Sequence, residues 1–189
     1  MTAIPTNRYV VFLAISLAGL WVDLFTKSWV FDWLGMPSGQ VYWIVPGYFG
    51  LETSLNEGAL FGMGQGKIAV FVSLSLLALL GIAYWLFVKG YASDWLLTIA
   101  LGAVTAGILG NLYDRLGMHG LQWNYPADRV GDPVYAVRDW ILWQANDQWR
   151  WPNFNIADSL LVCGAIALTW HAWFYAEPAQ KPQQTSSAP

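Results

Sequence analysis

Charged residues are scarce in this sequence: they make up 11% of the chain, against about 25% in a typical soluble domain. Hydrophobic residues make up 56%, and Trp alone occurs 13 times. This composition argues against an ordinary soluble domain and predicts an integral membrane protein. The net charge of −3 is too small to indicate a nucleic acid partner, so we expect none.

Cysteine and histidine are also rare, which narrows the possible chemistry. Cys163 is the single cysteine, so an internal disulfide is excluded. The two histidines, His119 and His171, lie far apart, and no Cys/His cluster has the spacing of a metal site. We therefore expect no metal and no cofactor. Both Cys163 and His171 fall inside an apolar run, where we expect a core cysteine and a structural histidine.

Four apolar stretches are long enough to cross a bilayer, which takes about 20 residues. They cover residues 9–29, 68–88, 95–113 and 156–176. Arg8 before the first stretch is a feature of signal peptides, but no small-residue cleavage site follows, so we interpret this stretch as a retained span. The pattern predicts an all-α membrane protein with one domain over 1–176, and the polar segment 177–189 is expected to be a disordered tail.

The segments between the spans are unequal in length. Residues 30–67 and 116–155 form long connections on one side of the membrane, whereas the short turn 89–94 and both termini lie on the other. Residues 41–45 and the alternating 49–56 predict strands, the second half-buried, in a small sheet on the membrane surface. Five Trp residues in the second connection predict that it lies against the bilayer. The positive-charge count alone would place both long connections in the cytoplasm.

Polar side chains collect at the span ends that face the two long connections. Ionisable groups at the edge of the hydrocarbon layer are costly, so their clustering indicates a functional site. The members are Asp23, Lys27, Asn56, Asn111, Asp114, Arg115, Asp139, Asn155 and Asp158.

Each member also has a purely structural interpretation. Asp23 and Lys27 are four residues apart, so they form either a neutralising pair or a support for a site. Asn155 and Asp158 have the spacing of a helix capping box. Arg115 at a helix end is able to snorkel towards the headgroups.

Two of the carboxylates, Asp139 and Asp158, suggest a reaction. In a poorly hydrated site two carboxylates share one proton, so that one acts as a base and the other as an acid. This arrangement activates a water molecule to attack an amide without a metal. The alternative is a proton- or ion-coupled transporter that uses the same carboxylates. A transporter usually carries its acids near the midplane and shows repeated halves, and neither pattern is found here.

Five short blocks carry a family resemblance. In order they are DLFTK (23–27), NEGALFG (56–62), GNLYDR (110–115), RDWI (138–141) and PNFNIADS (152–159). Together they resemble lipoprotein signal peptidase, also called signal peptidase II, a family of bacterial membrane aspartic peptidases. The resemblance covers residues 8–176. It implies four transmembrane helices with a small sheet that cradles the active site, and cleavage of a prolipoprotein just before its diacylglyceryl cysteine.

The same resemblance assigns roles to individual residues. Asp139 and Asp158 would be catalytic. Other residues would contact the substrate or support the site: Asn56 and Gly58 in the peptide cleft, Asn111, Arg115 and Asn155 beside the aspartates, and Asp23, Lys27 and Asp114 behind them. The site would open to the outer face of the cytoplasmic (inner) membrane, with both termini in the cytoplasm. Membrane lipid and cyclic peptide inhibitors of the globomycin type would be its further partners.

The sequence departs from the family pattern in two places. Residues 116–137 form a longer link than usual, and its Asp128 and Asp132 are possible rivals of Asp139. Arg138 stands before Asp139, where the family usually has an apolar residue.

Overall fold

The structure is a computed structural model that describes residues 4–58, 63–146 and 148–174. These residues form four long helices and a small sheet, as predicted. The predicted tail 177–189 lies outside the described residues, as do 59–62 of the NEGALFG block, and the extent of the single domain stays a prediction. The elements in chain order are α1 (Thr6–Leu34), β1 (Tyr42–Val45), β2 (Phe49–Asn56), α2 (Ile68–Ala83), α3 (Trp95–Arg115), β3 (Val137–Asn146), β4 (Trp149–Arg150) and α4 (Ile156–Phe174).

All four helices are long and apolar enough to cross a membrane. Helix α1 has 29 residues, more than the predicted span 9–29, because hydropathy marks the part in hydrocarbon rather than the whole helix. Helix α2 continues through a π-helical turn, Tyr84–Val88, which completes the second span. On the side of the short turn 89–94, the ring of His171 in the last turn of α4 lies 3.1 Å from Oδ2 of Asp94, which caps the start of α3. This contact is in keeping with the structural role expected for His171.

Helix α3 is the central helix of the bundle. In the most apolar stretch of α3, 61% of the residues are buried inside the structure, against 6% in the corresponding stretch of α2. Small residues allow α1 and α4 to approach it closely: a Cβ built on Gly19 would lie 2.7 Å from Ala106 Cβ, and one on Gly164 would lie 2.4 Å from Val104 Cγ2. Such contacts are the usual way in which helices associate within a membrane, where burial against lipid gives little driving force.

Substitution of Gly107 by alanine is expected to destabilise the bundle. Its Cβ would lie 2.5 Å from the Ala157 carbonyl oxygen and 2.7 Å from Leu161 Cγ, so α4 would have to move. We expect a loss of about 1–3 kcal/mol, measured as a lower thermal unfolding temperature in detergent. The matched control is Gly81→Ala on α2, where nothing lies within 4 Å, and which should stabilise the helix by about 0.5–1 kcal/mol. Equal unfolding temperatures for the two variants would contradict this packing.

The sheet is antiparallel, with strand order β1-β2-β3-β4. Strands β1 and β2 lie where the sequence predicts strands. The prediction that β2 is half-buried is wrong for residues 50–53, which are all buried without alternation. Strand β3 was not predicted, because its sequence does not alternate between apolar and polar residues. Residues 137–142 are all buried, so no exposed face requires such alternation.

The tryptophans of the second long connection do not all face the bilayer. Trp140 is buried in a core cluster with Val30, Phe31, Leu51 and Ile141, so the prediction is wrong for this residue. Trp143, Trp149 and Trp151 are exposed and pack against one another. The core cluster ties the sheet to the end of α1, which places the sheet at one end of the helix bundle.

Candidate active site

Asp139 lies on β3, opposite Ser54 of β2, and its side chain is almost completely buried. Its Oδ1 accepts a hydrogen bond from Asn155 Nδ2 at 2.7 Å. Its Oδ2 accepts a longer one from Asn56 Nδ2 at 3.4 Å. Strand pairing thus brings the NEGALFG block to the RDWI block, although 83 residues separate these two side chains.

Asp158 lies in the first turn of α4, where its capping role and its place in the site coexist. Its backbone N–H donates to Asn155 Oδ1 at 2.9 Å, and its Oδ2 accepts from the Asn155 backbone N–H at 3.2 Å, as a capping box requires. Its other oxygen, Oδ1, accepts from Asn111 Nδ2 of α3 at 2.8 Å. The helix dipole favours a carboxylate at this position.

A short backbone pairing brings the start of α4 to β3. The Ile141 N–H donates to the Phe154 carbonyl at 2.8 Å, and the Phe154 N–H donates back at 3.2 Å. Buried Asn155 follows directly and bonds to both acids, because its Nδ2 contacts Asp139 and its backbone N–H contacts Asp158. Asn155 therefore links the two carboxylates by hydrogen bonds.

The electrostatics of Asp139 follow from this arrangement. Burial, and next the negative charge of Asp158, raise the pKa of the Asp139 carboxyl well above its usual value. The charge of Lys27 and the hydrogen bonds from Asn155 and Asn56 oppose this rise only in part. Asp139 therefore keeps a proton at a pH where an exposed aspartate is ionised.

A buried ionic network centred on Lys27 lies behind the two acids. Lys27 Nζ lies 2.7 Å from Asp23 Oδ2 and 3.1 Å from Asp114 Oδ2, and all three side chains are fully buried. The same ammonium donates to Asn111 Oδ1 at 3.1 Å, which turns the Asn111 amide N–H towards Asp158. Asp23 also accepts from the Ala157 backbone N–H at 2.8 Å. Asp23 and Lys27 thus form the neutralising pair, and each also makes a hydrogen bond to a residue that lies next to, or bonds to, Asp158.

Arg138, the departure from the family pattern, takes part in this network. Its Nε and Nη2 donate to Asp114 Oδ1 at 3.0 Å and 2.9 Å, and its backbone N–H donates to Asp114 Oδ2 at 3.0 Å. Its Nη1 donates to the Ser28 hydroxyl at 3.2 Å. A cation is tolerated at this buried position because Asp114 supplies its counter-charge.

One cavity of about 1180 Å³ joins these features. At the sheet end it is lined by both acids together with other predicted residues: Asn56, Gly58, Asn111 and Arg115. It continues between the helices, where the lining becomes largely apolar and consists of Ser75, Ile108, Leu161, Val162 and Cys163. The expectation of a core cysteine is therefore wrong: Cys163 is exposed, because the cavity opens beside it on α4.

Arg115 points into this cavity rather than out to the headgroups. Its Nη2 donates to the Gly58 carbonyl at 2.9 Å, and its guanidinium lies 5.0 Å from the centre of the Phe71 ring. Its Nε is buried and has no hydrogen-bond partner among the described residues. A buried cationic donor without a partner is costly, which suggests that a ligand accepts from it.

A profile of the family described as signal peptidase (SPase) II matches residues 15–174. The chain belongs to the signal peptidase II family. The lipoprotein signal peptidase of Rhodopirellula baltica is 53% identical over 168 residues, which are 88% of this chain and 73% of the relative. The lipoprotein signal peptidase of Clostridium novyi is 33% identical over 154 residues, 82% of this chain and 91% of the relative.

Solved structures show the shared fold. Two structures described as a bacterial membrane enzyme, at 2.3 Å and 1.9 Å, superpose with TM-scores of 0.68 and 0.67 at 24% identity. The first match covers 90% of this chain and 94% of the other, and the second 87% and 94%. By its family the chain is a multi-pass membrane aspartic peptidase that removes signal peptides from prolipoproteins. This finding decides against the transporter alternative.

The two aspartates that were possible rivals of Asp139 lie outside the cavity lining. Asp128 and Asp132 are exposed in the longer link, and neither lines the cavity. Of the predicted set, Asp23, Lys27, Asp114 and Asn155 lie behind the cavity wall rather than in it.

A polar cluster in the cavity wall, formed by Glu52, Arg150 and Asn153, was not found by sequence reasoning. Glu52 of β2 is nearly buried and bonds to the guanidinium of Arg150, while Asn153 Nδ2 donates to the Glu52 carboxylate at 2.8 Å. In the sequence Glu52 occupies an ordinary polar position of an alternating strand. Its partners lie about a hundred residues away, so no local signal indicates them.

Proposed function

We propose that Asp139 and Asp158 are the catalytic pair of this peptidase. The observation that supports the proposal is that both carboxylates line one cavity and are held by the same residue, Asn155. Because burial and the charge of Asp158 raise the pKa of Asp139, Asp139 is the acid that carries the shared proton. Asp158 then acts as the general base and takes a proton from water as the water attacks the amide, and Asp139 protonates the leaving amine.

The surrounding residues hold the substrate and the acids. The unpartnered Arg115 Nε donates to a carbonyl oxygen of the bound peptide. Asn56 and Gly58 lie along the extended peptide, and Asn111 and Asn155 fix the orientation of the two carboxylates. Asp23, Lys27 and Asp114 keep this arrangement rigid from behind.

The shape of the cavity supports a lipid-bearing substrate. Its volume, about 1180 Å³, exceeds the roughly 300–1,000 Å³ of most small-ligand pockets. The polar part beside the acids takes the scissile amide, just before the diacylglyceryl cysteine. The apolar part between the helices, beside Leu161 and Val162, takes the acyl chains of a substrate that enters sideways from membrane lipid. A cyclic peptide inhibitor of the globomycin type would occupy the same space.

We place the chain in the bacterial cytoplasmic (inner) membrane, with the active site at the extracytoplasmic face and the termini in the cytoplasm. The positive-charge count points the other way. However, two of the cations on the long-loop side, Lys27 and Arg138, are buried in ion pairs with Asp23 and Asp114. Because these two cations are held in the folded site, the site itself accounts for their presence on this side, and we follow the orientation that the family resemblance implies.

A synthetic precursor peptide with a diacylglyceryl cysteine tests the substrate assignment. The purified protein in detergent should cut it just before that cysteine, as identified by mass spectrometry of both products. The same peptide without lipid should show a kcat/KM lower by about 100-fold or more, because each buried methylene contributes about 0.8 kcal/mol. Globomycin should inhibit cleavage in competition with the lipidated peptide. Equal cleavage of the two peptides, or a cut elsewhere, would refute the assignment.

A further inference from the structure

The longer link between α3 and β3 is a folded loop rather than loose chain. The Val134 N–H donates to the Leu121 carbonyl at 3.0 Å, and the Trp123 N–H donates to the Asp132 carbonyl at 2.9 Å. The Gly131 N–H donates to the Trp123 carbonyl, also at 2.9 Å. We call residues 121–134 the link loop. Its own hydrogen bonds give it a defined shape, so its side chains have fixed directions.

Arg129 reaches from the link loop to another part of the chain. Its Nη2 and Nη1 donate to the two carboxylate oxygens of Glu57 at 2.7 Å and 3.2 Å, which is a bidentate pair. Its guanidinium also lies 4.1 Å from the centre of the Trp123 ring in the same loop. This stacking holds the guanidinium in place, so forming the ion pair costs little side-chain entropy.

Glu57 stands between two residues that touch the active site. On one side, Asn56 donates to Asp139 Oδ2. On the other, the Gly58 carbonyl accepts from Arg115. Asn56 and Gly58 line the cavity, whereas Glu57 is not among the residues that line it. The backbone therefore presents its neighbours to the site while the Glu57 side chain is anchored outside it.

We propose that the link loop anchors the cleft segment Asn56–Gly58 through the Arg129–Glu57 pair, which makes both members positioning residues for the cleavage reaction. The contact at Asn56 has the longest hydrogen bond to the two acids, 3.4 Å, so this segment gains most from an external anchor. The inference rests on the proposed roles of Asp139 and Arg115. The inference thereby assigns the longer link between α3 and β3 a role in holding the cleft segment.

A double-mutant cycle tests the anchor. We compare Glu57→Gln, Arg129→Gln and the double variant in the cleavage of the lipidated peptide. Partly exposed ion pairs change an equilibrium by up to about fivefold, so each single change should lower kcat by about three- to fivefold and leave KM within about twofold. The double variant should be no worse than either single variant. The charge-swapped pair, Glu57→Arg with Arg129→Glu, should recover part of the lost kcat.

Two controls separate positioning from folding. Asp128→Asn removes a neighbouring exposed charge of the link loop that does not bond to Glu57, and it should leave kcat unchanged. Thermal unfolding in detergent should not differ between the variants by more than a few degrees. High salt should lower kcat of the wild-type protein towards that of the double variant, because salt screens an exposed pair.

Additive effects of the two single changes in the cycle would overturn the proposal. So would a loss of activity that occurs only in those variants whose unfolding temperature is also lower. An Asp139→Asn variant assayed in parallel distinguishes its failure from that of the proposed function. If Asp139→Asn stays active, the catalytic assignment is wrong, whereas an inactive Asp139→Asn with an additive cycle refutes the anchor alone.

Discussion

Replacing either Asp139 or Asp158 by asparagine is expected to lower kcat for the lipidated peptide by about 1,000-fold. An amide can neither take a proton from water nor donate one to the leaving amine at the required strength. Because the proposed mechanism has the two acids share one proton and act as a unit, the double variant should be scarcely less active than either single one. The measurement is single-turnover cleavage in detergent, with product followed by chromatography.

The exposed acids of the link loop are the matched controls for this experiment. Asp128→Asn and Asp132→Asn make the same chemical change on the same connection, and both should keep the wild-type kcat. An active Asp139→Asn together with an inactive Asp128→Asn or Asp132→Asn would move one catalytic acid into the link loop.

The same Asp139→Asn variant should be more stable than the wild-type protein at neutral pH. Burial and the charge of Asp158 raise the pKa of Asp139 in the folded state. The stability that depends on its proton is therefore complete below the unfolded pKa, about 3.8, and is lost as the pH rises through the folded value. Asparagine carries no such charge. Its gain in unfolding temperature should grow from pH 4 to pH 8, and a gain that shrinks over this range would contradict the buried, protonated acid.

Replacing Lys27 by methionine is expected to have the largest effect on folding. The change leaves Asp23 fully buried without its cation, and it removes one of two cations from Asp114. Breaking a buried pair by removing one partner costs about 3–5 kcal/mol. In a protein of this size that corresponds to roughly 10 °C in unfolding temperature. Asn111 also loses the donor that orients its amide, so the surviving folded protein should cleave more slowly.

Lys89→Met is the control for this prediction. Lys89 is exposed at the end of the π-helical turn, where its ammonium lies 5.6 Å from the Tyr84 ring. The same loss of charge there should change the unfolding temperature little. If Lys27→Met unfolds at the temperature of Lys89→Met, the ionic network behind the acids does not support the bundle.

The sequence alone determined the membrane class, the four spans and the family. These properties depend on local composition: hydrocarbon demands about 20 apolar residues in a row, and polar groups at a span edge are costly enough to stand out. The same reasoning predicted the capping box of Asn155 and Asp158 and the two strands of the first connection, because capping and alternation are patterns within a few residues.

Tertiary structure decided what depends on partners distant in sequence. The continuous burial of β3 hid its strand pattern, and only its pairing with β2 brings Asp139 to Asn56. The cation Arg138 is tolerated because Asp114 lies against it, and Arg129 meets Glu57 across 72 residues. The free energy of a buried charge is set by its counter-charge, which a linear sequence does not display.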